Sequence, residues 1–337
     1  MIEGHGDDLF RYGNRVKINF SSNIPQKVDH SGLMTYLQGL GDIFKNYPEP
    51  SPLSIEHILA RNLFLDENRV IVANGATEII YLLAQLFING HSTIVIPTFR
   101  EYQDACKLFF HQIKFIRSID SVTEDGRMVW LCNPNNPTGI TYDYDKLLRI
   151  IRKRKETLFV VDQAYGLYSV KKVLTIDNVL EYNNLILLES FTKQFSVPGL
   201  RVGYAIGSEF YIERLKSMRM PWSVNSISIE AAKYLLSHQV EYRIDIHVLH
   251  KEALRMIAEL RKVGYNVLDT DCNFFLAETP VGTAGKLKEW LIEKYGILIR
   301  DASNFGSLSD KFFRIAVQDV NENNFLIKAL TEWIRSY

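Results

Sequence analysis

The chain has 337 residues, 47% of them hydrophobic and 12% aromatic, enough to bury a large core in two domains or one large one. Lys+Arg and Asp+Glu both number 39, so no global field draws nucleic acid or an anionic membrane surface, and any anion recognition has to be local. No apolar run approaches the ~20 residues of a membrane helix.

Taken in chain order, the first ~30 residues are loop-like, with acids and a histidine near Met1 rather than the basic and apolar runs of a signal peptide. They read as an arm (1–30) associated with the smaller of two domains. From about Arg69 to Ile206, short apolar β-branched runs alternate with amphipathic stretches, which predicts an α/β layer with a mainly parallel sheet. The strands expected are Val70–Ala73, Thr93–Ile96, Met128–Cys132, Leu158–Val161, Leu185–Leu188 and Val202–Ile206. Most are continuous apolar runs, as strands covered on both faces require. Helices are expected over Thr77–Phe87, Tyr102–Phe110 and Tyr144–Lys155. After Pro221 a long helical stretch, Ser226–Val263, precedes strands at Asn273–Ala277, Ile297–Arg300 and Phe313–Val317. A large domain over 31–225 and a smaller α+β domain over 226–337 follow.

Cys106, Cys132 and Cys272 lie far apart with no CxxC spacing, which gives neither a disulfide framework nor a zinc pattern and suits a reducing cytoplasm. His247 and His250 lie one helical turn apart without nearby acids or cysteines, so no metal is expected.

The segment that carries chemistry runs from Ser190 to Tyr204, Ser-Phe-Thr-Lys-Gln-Phe-Ser-Val-Pro-Gly-Leu-Arg-Val-Gly-Tyr. A loop lysine is ordinarily solvated surface. Here Lys193 follows a buried strand, with Ser190 three residues before it and Arg201 eight after it. That spacing assembles a Schiff-base nucleophile, a hydroxyl and a guanidinium around a loop able to close on a phosphate.

On these residues the chain resembles the class I/II aminotransferases, pyridoxal 5′-phosphate enzymes of the aspartate-aminotransferase fold type, and the likeness covers nearly its whole length. It implies a large α/β domain, with a mixed, mainly parallel sheet between helices, and a smaller α+β C-terminal domain. Lys193 is then the lysine that carries the cofactor, and Arg201 and Ser190 hold its phosphate. Asp162, ending the strand Leu158–Val161, is the acid that keeps the pyridine nitrogen protonated, so that the ring can act as an electron sink. Tyr165 and Asn136, the latter in Asn133-Pro-Asn-Asn-Pro-Thr-Gly139, contact the ring oxygen, and Gln163 stands where the family usually has glutamate. Gly75, Ala76 and Thr77, at a strand-to-helix turn, offer backbone N–H groups to the phosphate. Tyr102 is assigned to stacking on the ring. Tyr47, in Asn46-Tyr-Pro-Glu-Pro50, reaches the phosphate of a neighbouring subunit, which implies a homodimer with shared sites. Arg314, set in an apolar strand, takes the substrate α-carboxylate.

Within the family the chain is most similar to the branch that holds histidinol-phosphate aminotransferase and L-threonine-O-3-phosphate decarboxylase, both acting on phosphorylated amino compounds. By that likeness His5, Gly6, Asn23 and Arg300 surround a substrate phosphate, although Gly4-His5-Gly6-Asp7 lacks a usual second glycine. The expected reaction is decarboxylation of L-threonine O-3-phosphate to (R)-1-aminopropan-2-yl phosphate, a step that in the family serves cobalamin synthesis. The alternative is transamination of histidinol phosphate or a similar amine with 2-oxoglutarate.

Overall fold

The computed structural model describes residues 8–123 and 127–336. Its strands are β1 (Ile18–Asn19), β2 (Val70–Ala73), β3 (His91–Val95), β4 (Gln112–Ile116), β5 (Met128–Cys132), β6 (Leu158–Asp162), β7 (Leu185–Ser190), β8 (Gly203–Ile206), β9 (Asn266–Val267), β10 (Phe274–Glu278), β11 (Ile297–Leu298), β12 (Arg300–Asp301) and β13 (Phe312–Ala316). Seven form one sheet in the order β2-β8-β7-β6-β5-β3-β4, in which β8 alone runs antiparallel to its neighbours.

The apolar runs of the central strands are explained by the two faces of this sheet. Val70 and Val72, Val129 and Leu131, Phe159 and Val161, and Leu185 and Leu187 bury into one core. Their alternates Ile71, Met128 and Trp130, Leu158 and Val160, and Ile186 and Leu188 bury into another on the opposite face. The edge strand β4 was not expected from the sequence, because only Ile116 of Gln112–Ile116 is buried and the run carries no strong pattern.

A four-stranded antiparallel sheet, β12-β13-β10-β9, holds a separate core with helices Ile246–Lys262, Ala284–Tyr295 and Val320–Arg335. The N-terminal segment joins this C-terminal region, since β1 pairs in parallel with β11.

Three expectations need correction. The stretch Ser226–Val263 is two helices, Ser226–Ser237 and Ile246–Lys262, separated by a 3₁₀ turn over Gln239–Tyr242. The first of them buries Ile229, Ala231, Ala232 and Leu235 in the large-sheet core, so a division at residue 225 would cut through that core. Ile297–Arg300 is also not one strand. Ile297–Leu298 pairs with β1 and Arg300–Asp301 with β13, the change of sheet falling at buried Ile299.

Candidate active site

A cavity of about 670 Å³ opens where the C-terminal ends of β5, β6 and β7 meet the N-terminus of helix Gly75–Leu86, the 198–201 turn and the four-stranded sheet. Ligand sites in open α/β sheets form at such strand ends.

Asp162, the last residue of β6, is 6% exposed. Its Oδ2 accepts from the Tyr102 hydroxyl at 2.7 Å and its Oδ1 from the Ala164 N–H at 2.9 Å. Burial pushes its pKa up, while the two hydrogen bonds and the Lys193 charge pull it back. Lys193 sits in the short helix Phe191–Gln194 that follows β7, its Nζ 5.3 Å from the centre of the Tyr165 ring. The Lys193 carbonyl accepts from the Tyr168 hydroxyl at 2.8 Å, which anchors the backbone beneath the amine.

At the other end of the cavity two glycines remove bulk where groups must converge. A Cβ on Gly75, whose φ is +78°, would lie 2.6 Å from Arg201 Nη2, and one on Gly203 would lie 2.2 Å from the Ala76 nitrogen. The helix that starts at Gly75 has no side-chain cap, so the N–H groups of its first turn face a cavity that Ala76 and Thr77 line. Arg201 donates to Thr192 Oγ1 at 3.3 Å and lines the same end with Ser190.

The third wall comes from the C-terminal sheet. Arg300 and Arg314 are register partners on β12 and β13 and both line the cavity. Arg314 donates through Nη1 to Asn136 Oδ1 and through Nη2 to Ser21 O at 2.6 Å, while its buried Nε has no partner. Burial, aided by the Arg300 charge and opposed by Tyr165, brings its pKa down to about 10, so it stays a cation at neutral pH. Arg300 is held by Asn304 Oδ1 at 2.7 Å and Asp301 O at 2.6 Å. Asn23, 1% exposed, faces the Tyr165 hydroxyl without closing a hydrogen bond to it.

Most of the residues expected at the site therefore line one cavity. Tyr102 does not. It is 1% exposed, with its hydroxyl on Asp162 and its ring stacked on Trp130 at 5.5 Å, so it lies behind the cavity wall and cannot face a cofactor ring. The aromatic that lines the cavity beside it is Phe99, meeting Tyr102 edge-on at 5.8 Å. Both aromatics follow Pro97, and only their position around the start of helix Glu101–Leu108 separates the exposed ring from the buried one. Gly75 contributes room rather than a lining atom, and Tyr47 is 85% exposed beside Trp222, outside the cavity of its own chain. His5 and Gly6 lie outside the described residues. The sequence reading also missed Ser21, Ser22, Thr192 and Asn304.

The model of the class I and II aminotransferases matches residues 15–330, and the chain belongs to this family of pyridoxal-phosphate enzymes. It is 33% identical to the crystal structure of L-threonine-O-3-phosphate decarboxylase from Porphyromonas gingivalis, with a TM-score of 0.92 over 95% of this chain and all of that one. It is 32% identical to the histidinol-phosphate aminotransferase of Thermoanaerobacter pseudethanolicus, over 85% of this chain and 84% of the relative. The histidinol-phosphate aminotransferase structure from Clostridium acetobutylicum superposes with a TM-score of 0.84 at 26% identity, covering 95% of this chain and 100% of that one. No helix among the described residues is long and apolar enough to cross a membrane.

Proposed function

We propose that the chain binds pyridoxal 5′-phosphate and decarboxylates L-threonine O-3-phosphate to (R)-1-aminopropan-2-yl phosphate. What supports this reading is the in-register pair Arg300 and Arg314, two cations on one wall of the cavity that faces Lys193, together with the likeness to L-threonine-O-3-phosphate decarboxylase, since the pair alone suits both readings. A substrate with a carboxylate and a phosphate matches two guanidiniums, each of which is suited to planar or tetrahedral oxyanions.

The cavity fits the cofactor. The uncapped helix start, Arg201 and Ser190, with room left by Gly75 and Gly203, would hold its phosphate. Lys193 would attach the aldehyde carbon, and Asp162 would keep a proton on the pyridine nitrogen. Asn136 and Tyr165 would donate to the ring oxygen, and Phe99 would lie on the ring face. When bound, pyridoxal phosphate supplies the sink for the electron pair released at the substrate α-carbon. Arg314 would take the α-carboxylate, and Arg300 and Asn23 the substrate phosphate, with His5 and Gly6 of the N-terminal arm. Tyr47 would serve the phosphate site of a second copy in a homodimer, in keeping with its exposure.

Which bond breaks depends on which substituent stands perpendicular to the ring, and the arginines set that orientation. The second reading, transamination of histidinol phosphate with 2-oxoglutarate, would use the same two cations for the two carboxylates of 2-oxoglutarate. Incubation with each phosphorylated substrate, with and without 2-oxoglutarate, separates the readings. Carbon dioxide and the amine phosphate are expected from threonine phosphate. No carbon dioxide, together with glutamate formed from 2-oxoglutarate by taking the amino group of histidinol phosphate, would replace the first reading by the second.

A further inference from the structure

Asp271 lies in the segment that leads into β10 and bonds to two other segments at once. Its Oδ2 accepts from the Thr141 N–H at 2.8 Å, its own N–H donates to Gly139 O at 2.9 Å, and its carbonyl accepts from the Val170 N–H at 3.0 Å. Oδ1 pairs with Lys171 at 3.0 Å. The loop rests directly on this segment. Gly139 has φ +74°, and an added Cβ would lie 2.1 Å from Thr270 Oγ1 and 2.6 Å from Phe274 O.

Three residues before Gly139 is Asn136, which accepts from Arg314 on β13, the strand paired with β10. The loop is thus joined to the C-terminal region outside the cavity, by Asp271 and by the Thr270 hydroxyl, which donates to Gly139 O at 3.3 Å, and inside it by Arg314. Only a few residues separate Thr141 from Asn136, so a shift of the loop at Asp271 is carried to the contact with Arg314.

We propose that Asp271 is a positioning residue that sets the height of the 133–142 loop over the C-terminal sheet, and so the place where Asn136 and Arg314 meet. The proposal rests on the reading of those two residues as cofactor and substrate contacts. A buried N–H needs an acceptor, so the Thr141 bond is the important one. Any oxygen in that position serves it. The negative charge serves only Lys171, whose side chain is 58% exposed, where an ion pair contributes little.

The test compares D271A, D271N and K171M in the full chain loaded with pyridoxal phosphate, reading cofactor affinity, the visible circular dichroism of bound cofactor, and KM for L-threonine O-3-phosphate. D271A is expected to weaken cofactor and substrate binding roughly tenfold, the scale of a small displacement of positioned groups. D271N and K171M are expected to stay within about threefold, because the Thr141 acceptor is kept. Starting from N136A, D271A is expected to add less than about twofold, since the two act through one contact. Parent-like behaviour of D271A, equal impairment of D271N, or effects of D271A and N136A that multiply would each overturn the proposal. If D271A does not fold, G139A displaces the loop at the same contact, and an unchanged cofactor dichroism in it has the same force. A parent chain that does not bind the cofactor through Lys193 removes the reading of the site, and the role of Asp271 goes with it.

Discussion

Tyr102 and Asp162 form one unit: the phenol donates to the carboxylate at 2.7 Å while its ring lies flat against Trp130 behind the cavity wall. The acid is thereby held in one orientation by a side chain that does not line the cavity.

Tyr102→Phe removes a hydrogen bond that lowers the Asp162 pKa and leaves burial to raise it further. A hydrogen bond to a charged group contributes about 1.5–3 kcal/mol, so cofactor affinity is expected to fall at least about tenfold near neutral pH. The loss should shrink as pH rises, because Asp162 ionises again. Phe99→Ala should instead weaken the cofactor equally at every pH. Equilibrium titrations of both variants from about pH 6 to 9 distinguish the two, and a pH-independent loss in Tyr102→Phe would contradict the arrangement.

Glu189, the residue before Ser190, has its pKa raised to about 8 by burial, with the Asp162 charge adding to the rise and the Gln163 amide opposing it. In the folded chain it holds a proton that the unfolded chain releases above the ordinary value of 4.5. Its contribution to stability is therefore complete below that value and is lost as pH rises through about 8. The slope approaches about 1.4 kcal/mol per pH unit in between. Glu189→Gln should flatten this part of the urea-denaturation profile and be more stable than the parent near pH 8. Parallel profiles for the two proteins would rule the assignment out.

Glu56 and Arg219 are a buried pair at 2.5 Å joining helix Leu53–Leu63 to the end of helix Glu209–Met218. Glu56 also accepts from the Val72 N–H at 2.9 Å, and Arg219 donates to Val72 O at 2.6 Å. Glu56→Ala strands a buried guanidinium and is expected to cost about 3–5 kcal/mol in denaturant melts. The double replacement Glu56→Leu with Arg219→Met should recover part of that loss. A single variant as stable as the parent would show that the pair carries no such weight.

Gly203→Ala places a methyl 2.2 Å from the Ala76 nitrogen and must shift the helix start that lines the cavity. Affinity for pyridoxal phosphate should drop by more than about tenfold while Ki for inhibitors that bind only at Arg314 changes little. Competitive inhibition by a small carboxylate, measured beside cofactor affinity, checks this, and an unchanged cofactor affinity would contradict it.

The large sheet was legible because its strands are buried on both faces, and the splitting of Val70–Ala73 or Met128–Cys132 between two cores leaves no polar positions to blur the run. Strand β4 was not, since an exposed edge imposes no such pattern on Gln112–Ile116. In the site, Lys193, Asp162, Asn136 and Arg201 were named from the family resemblance of their motifs rather than from local chemistry, since each residue type has a common structural use, and the four line one cavity. Phe99 and Tyr102 were not separable, because facing a cavity or a core depends on rotation about a helix start that neighbouring aromatics do not encode. The N-terminal arm was expected beside the smaller domain, but the particular partners of residues 18–20 were hidden, as they come from Gly296 onward and pairing at that distance leaves no local mark.

That last contact governs when the protein can first become competent. Arg314 reaches Ser21 O across 293 positions of sequence, and Phe20 pairs with Leu298 and Ala316 through its backbone. During synthesis the early segment leaves the ribosome long before those strands exist, at roughly 5–20 residues per second, and waits tens of seconds for them. The strands of the large sheet are all made in that interval, although the core beneath them also takes Ile229, Ala231, Ala232 and Leu235. The wall that carries Arg300 and Arg314 is made last, so a nascent chain would hold Lys193, Asp162 and Arg201 while that side of the cavity is still missing.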